Sequence, residues 1–117
     1  MKKIFSSVIG VDQGDVLIFS DFDSGGSMWT GKGQRARRVR VDFPTAFREE
    51  PSVHVSLKMM DMAQNSNQRF DLLVEEVSEQ GFTAIFKTWG DTKIARASMH
   101  WLAIGPTFND DDWVDID

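Results

Sequence analysis

The chain contains no cysteine, which removes disulfides, thiolate metal sites and thiol nucleophiles in one step. Its stability must come from packing or assembly. It also lacks any apolar run long enough to span a bilayer. No long stretch carries a helical hydrophobic stripe, and no segment repeats at a solenoid period. A charge excess of one sign is nearly absent too. The formal net charge is -5, yet Asp110, Asp111, Asp112, Asp115 and Asp117 supply five of the eighteen acids; without them thirteen acids face thirteen bases. The acidity therefore belongs to the C-terminal tail and says nothing about a ligand of the body. A secretory leader is imitated but not completed: Lys2 and Lys3 precede Ile4 to Val11, but two serines interrupt the run and Asp12 and Asp15 follow it. The expectation is cytoplasmic synthesis without a signal peptide.

What is present is one core's worth of material. With 117 residues, 41% hydrophobic and 26% charged, the chain is too short to divide comfortably. Glycine turns and period-2 alternation recur. Val16 to Phe22 is the first expected strand, closed by Asp23 to Ser27. In Arg38 to Phe43, Val39, Val41 and Phe43 point one way and Arg38, Arg40 and Asp42 the other, the pattern of a half-buried strand. Pro44 and Pro51 bracket a connector. Val53, Val55, Leu57 and Met59 then alternate with His54, Ser56, Lys58 and Met60. Gln64 to Gln68 reads as a loop tip. Arg69 to Glu79 and Phe82 to Trp89 form a hairpin about a two-residue Gln80-Gly81 turn. Setting Glu79 against Phe82 brings Arg69 opposite the segment Trp89 to Thr92, allowing for a bulge. Ala97, Met99, Trp101 and Ala103 mark the sixth strand, with Trp101 assigned to the core. The expected architecture is an all-β, six-stranded antiparallel β-sandwich over residues 16–105. Residues 1–15 form an N-terminal segment and residues 106–117 an acidic tail. That tail reads as solvated, or as an arm docking on a neighbouring subunit through Phe108 and Trp113.

Candidate chemistry concentrates at Lys87 to Lys93, where an aromatic, a turn glycine and an acid meet at a strand end. Arg69 opens a strand after a polar loop, and its planar fork suits two vicinal hydroxyls or a carboxylate. An ordinary ion pair with Asp91 is the equal alternative, and both can hold at once. Trp89 offers its ring to a pyranose face or to a subunit contact, and Gly90 permits a positive φ. Lys32, Arg35, Arg37, Arg38 and Arg40 invite a nucleic-acid reading. The body has no net positive charge and no aromatic platform is interleaved, so a solvated strand face or an inter-subunit salt-bridge surface is expected, with no nucleic-acid partner. Gly31-Lys32-Gly33 is not a phosphate loop, because no Lys-Ser or Lys-Thr helix start follows. His54 and His100 lie at mid-strand without metal-ligand spacing. A non-enzyme is expected.

The order of several motifs carries a resemblance. Trp29, Val39-Arg40-Val41-Asp42-Phe43, Pro51 to Leu57, Asp61, Arg69, Gly81-Phe82, Thr88 to Lys93 and Met99 to Ile104 resemble the H-type lectin domain of snail agglutinins and the C-terminal domain of discoidins, over about Val16 to Gly105. The resemblance implies trimers, often paired into hexamers, that bind galactose-type sugars such as N-acetylgalactosamine without a metal or other cofactor. It places the sugar in a cleft between subunits, with Arg69 and Trp89 at the family's arginine and tryptophan positions. Gly90 and Asp91 follow that tryptophan, and Gly33 and Gln34 stand in the family's sugar-contacting loop. Two departures matter. Gly90 replaces a contact histidine of the snail proteins, and the loop Thr30 to Gln34 is short and holds no acid. The implied function is a multivalent glycan-binding lectin, acting in adhesion or attachment at a surface or particle, without membrane insertion. The rival is an assembly module of the same fold that has lost sugar binding.

Overall fold

Each alternating segment of the sequence becomes a strand. In the computed structural model, which describes residues 1–108, these are β1 (Ile9–Ser20), β2 (Arg35–Asp42), β3 (Ser52–Met62), β4 (Phe70–Glu75), β5 (Gly81–Thr88) and β6 (Ile94–Pro106). One sheet runs β1-β6-β3 and the other β2-β5-β4, every pairing antiparallel. The expected six-stranded sandwich is the observed fold. A single short helix, α1 (Ser27–Thr30), joins β1 to β2. The proposed docking role of Trp113 lies outside the described residues.

The two central strands hold the core. From β5, Phe82, Ala84 and Phe86 face inward; from β6, Ala97, Met99, Trp101 and Ala103 do the same, as the alternation predicts. Alanines at 84, 97 and 103 leave room for rings contributed by neighbours, which is how a thin sandwich is filled without voids. Phe43, Phe82 and Trp101 meet with centroids 5.7 to 5.9 Å apart, and Phe86 sits between Phe19 and Phe70 at 5.3 and 5.2 Å. Burying one such ring contributes roughly 2–3 kcal/mol. Trp101 requires Gly14 on β1: a Cβ there would stand 2.9 Å from the indole nitrogen.

Three local expectations give way to packing. β1 begins at Ile9, well before Val16, because Ile9 to Asp15 continue the pairing with the long β6 from Pro106 to His100. The simple alternation of β3 breaks at a bulge between Leu57 and Met59, which sets Met60 rather than Met59 opposite Ala97 and onto the core. The two-residue turn at Gln80-Gly81 is replaced by a longer connection. β4 stops at Glu75, Glu76 takes a left-handed conformation with φ 54°, and Val77 folds back against the core. Burial of Val77 and the bonds Glu76 collects offset that backbone cost. Arg38 and Thr83 donate to its carboxylate at 2.8 and 3.2 Å, and Arg40 to its carbonyl at 3.3 Å.

Candidate functional site

At one end of the sandwich three loops converge. The β4–β5 register sets Phe70 against Thr88, so Arg69 and Trp89 are the next residues outward on their strands. The longer connection shifts the register, yet Arg69 still reaches the expected segment. Its Nη1 donates to Asp91 Oδ1 at 2.7 Å, and the backbone N–H of Asn67 donates to Asp91 Oδ2 at 3.2 Å. These two donors, the backbone N–H first, hold the Asp91 carboxyl below its ordinary range. Gly90 has φ +67°, the left-handed region that turns the chain back toward β6.

The buried Thr92 hydroxyl closes this turn on the 67–69 loop. It accepts the Arg69 backbone N–H at 2.9 Å and donates to the Trp89 carbonyl at 2.8 Å. Gln68 adds a second tie, its Oε1 accepting the Lys93 N–H at 2.8 Å. The third loop joins through backbone: Gly33 N–H donates to the Gly90 carbonyl at 2.9 Å. Arg35 reinforces that contact, donating to the carbonyls of Gly33, Ser27 and Gly90 at 3.0, 2.9 and 3.4 Å.

What fixes the loop carrying Trp29 is a pair no motif announced. Asp21, 3% exposed, receives two bonds from Arg37 at 2.7 and 3.1 Å and one from the Met28 N–H at 3.0 Å. Met28 is fully buried, and the adjacent Trp29 is left half-buried at the rim. The expected solvated face of basic residues is therefore only partly realised. Arg38 and Arg40 do point outward to Glu75, Glu76 and Asp42. Arg37 and Arg35 instead build the rim. The available signal was the alternation itself, which sets Arg35 and Arg37 on the face of β2 that carries Val39 and Val41.

An open cleft of about 360 Å³ lies between the loops, lined by Trp29, Thr30, Gly31, Lys32, Asp91 and Lys93. Lys93 Nζ stands 4.5 Å from the Trp29 ring centroid. Across Trp29 a second cleft of about 290 Å³ is lined by Phe22, Asp23, Asp61 and Arg96 among others. Of the residues expected from the sequence, Arg69, Gly90, Asp91 and Gly33 are linked by direct bonds or contact. Trp89 stands beside them, 42% exposed. Gln34 departs from the group, lining a neighbouring depression with Arg35, Ala36, Lys87 and Thr88. Thr92, Lys93 and Lys32 were not singled out as site residues, and Trp29 only as part of the motif order. His54 and His100 lie on the outer face of the β1-β6-β3 sheet, away from this rim. There His100 Nδ1 meets Asp15 Oδ1 at 2.7 Å and Lys58 meets Asp15 Oδ2 at 2.7 Å. The early start of β1 creates that contact.

Among the described residues, no helix is long and apolar enough to cross a membrane. The chain is 50% identical over 113 residues, 97% of each sequence, to a protein of Fuscovulum blasticum known as ATP synthase subunits region ORF 7. It is 28% identical over 79 residues to Discoidin-2 of Dictyostelium discoideum, covering 67% of this chain and 31% of that protein. The native structure of recombinant discoidin II superposes with a TM-score of 0.73 at 27% identity, across 86% of this chain. This chain spans only 38% of that structure's length. The family model of the H-type lectin domain matches residues 38–104, from β2 through the Trp89 turn into β6. The chain belongs to the H-type lectin domain family.

Proposed function

We propose that the chain is a metal-independent lectin that binds galactose-type sugars at the loop-built rim, with its action carried by several sites in one assembly. The observation that carries this reading is the Arg69–Asp91 pair held beside the exposed Trp89. The salt bridge fixes one guanidinium nitrogen while the side chain remains 41% exposed, so donors remain for ligand hydroxyls. Trp89 offers an apolar plane for the C–H face of a pyranose. The similarity to discoidin II supports the same assignment. Non-catalytic action accords with the placement of both histidines away from the rim.

A homotrimer or hexamer is part of the proposal. Its support is the outer face of the β1-β6-β3 sheet, where Ile9, Val11 and Leu17 stand exposed beside the half-buried Leu102 and Ile104. Such a row favours contact with further copies. A shallow rim binds one sugar weakly, and linked sites convert later encounters into intramolecular ones. Attachment to a glycan-coated surface or particle is the setting this arrangement suits.

The second reading, an assembly module without sugar binding, draws on Gly90 and on the acid-free loop Thr30 to Gln34. Calorimetric titration with galactose, N-acetylgalactosamine and glucose decides between them. The lectin reading expects millimolar or tighter binding of at least one sugar, weakened roughly tenfold or more in Arg69→Ala. Silence with every saccharide tried, from a protein that light scattering finds to be an intact oligomer, would establish the module instead.

A further inference from the structure

Resting on the carbohydrate reading, we infer that the Trp29–Lys93 cleft selects a saccharide bearing an anionic substituent, a carboxylate or a sulfate, over the neutral sugar. The argument begins with which charges are already satisfied. Asp91, the only acid lining the cleft among the described residues, is engaged by Arg69 and by the Asn67 N–H. Lys32 and Lys93 line the same cleft, and no carboxylate lies within ion-pair distance of either among the described residues. Asp23 and Asp61 belong to the cleft on the other side of Trp29, where Arg96 binds Asp61 at 3.3 Å.

Lys93 makes the preference more than a matter of surface charge. Its ammonium stands over the Trp29 ring at 4.5 Å, so a neutral pyranose stacking on that side meets a cation where an apolar C–H face is wanted. An anion at the same place gains a charge-assisted hydrogen bond from an ammonium already held by the ring. Lys32 lies on the loop whose counterpart in the resembling lectins supplies an acid to the sugar, and this loop has none. The departure that puts a neutral galactose-type ligand in question is thus the feature that suits an acidic one. This positive cleft sits on a chain of net charge -5, so the overall charge does not account for it. Proximity of the Trp89–Asp91 turn supplies the hydroxyl contacts and the loop the anion contact.

The test is competitive or calorimetric titration of the full chain with galactose, galacturonate and galactose 6-sulfate, with inorganic sulfate as control, at about 0.05 and 0.5 M NaCl. At least one anionic sugar is expected to bind about tenfold tighter than galactose at low salt, the advantage shrinking at high salt. Lys32→Gln and Lys93→Gln should each remove much of that advantage, read as the ratio of anionic-sugar to galactose affinity within each variant. Lys32 is exposed, so its variant tests the inference even should Lys93→Gln disturb the Trp29 loop. Which anion gains more identifies the substituent. Galactose binding as tightly as both anionic sugars overturns the inference and leaves the lectin intact. Inorganic sulfate matching the sulfated sugar overturns it as a saccharide site. If no sugar binds at either salt, the inference and the carbohydrate reading fall together.

Discussion

Replacing Thr92 by valine isolates one hydroxyl that ties two of the converging loops together. Valine keeps the shape and β-branching, so no cavity opens in a position that is 1% exposed. What disappears is the acceptor for the Arg69 N–H at 2.9 Å and the donor to the Trp89 carbonyl at 2.8 Å. Both backbone groups lie inside the hairpin end, where an unpaired group costs about 1–3 kcal/mol. Taking about 2 kcal/mol, a domain of this size loses roughly 8 °C in Tm, or roughly 1.5 M in urea midpoint at unchanged m. Because Arg69 and Trp89 are the two residues released, affinity for the sugar should also fall by about tenfold at temperatures where the protein is folded. Thr92→Ser keeps the hydroxyl and is expected to retain most of both. The assays are urea unfolding followed by tryptophan fluorescence and calorimetric titration of the bound sugar. A Thr92→Val protein with the parent's midpoint and the parent's affinity would refute the idea that this hydroxyl sets the rim.

Asp21→Ala removes the shared acceptor of Arg37 and the Met28 N–H. Partial exposure of Arg37 relieves part of the penalty for an unpaired buried charge, leaving about 2–4 kcal/mol of destabilisation. Urea unfolding checks this, and faster exchange of the amides from Ser27 to Gly33 should accompany it; an unchanged midpoint contradicts the structural role of the pair. For Asp91, the folded carboxyl titrates below its ordinary value near 3.8. Its contribution to the rim is therefore complete above that value and is lost as pH falls through the depressed one. Sugar affinity should stay level from about pH 8 to pH 5 and drop only under more acid conditions, in step with the carboxyl carbon shift of Asp91 followed by NMR. A midpoint above 3.8 would contradict the two donors assigned to it.

The sandwich was legible because its inward residues alternate without interruption on β2, on β5 and on β6 from Ala97 to Ala103, and a period of two admits only one face for each. Legibility ended where backbone geometry departs from the ideal strand. Nothing in Glu76 marks it for a left-handed conformation, and the turn there depends on Val77 finding the core and on Arg38 and Arg40 reaching back. The bulge in β3 is of the same kind, a displacement decided by which methionine fits beside Ala97. The start of β1 was missed because Gly10, Asp12, Gln13, Gly14 and Asp15 look like a loop until β6 is there to pair with them.

At the rim, the sequence order named the acid, the arginine and the tryptophan but not the relation that Gly90 imposes on them. A Cβ at position 90 would lie 3.1 Å from Arg69 Nη1, tighter than a comfortable contact. The side chain at 90 and the present pose of Arg69 therefore compete for one space. With a larger residue at 90, the arginine would have to give way or be held differently. Here glycine lets the guanidinium settle over the turn and bind Asp91 at 2.7 Å. Gly90 thus lets the arginine and the acid engage each other, while among the described residues Lys32 and Lys93 line the cleft with no carboxylate within ion-pair distance. On the carbohydrate reading proposed above, the charge left for a ligand therefore lies with the loop that carries Trp29 and with Lys93 beside it.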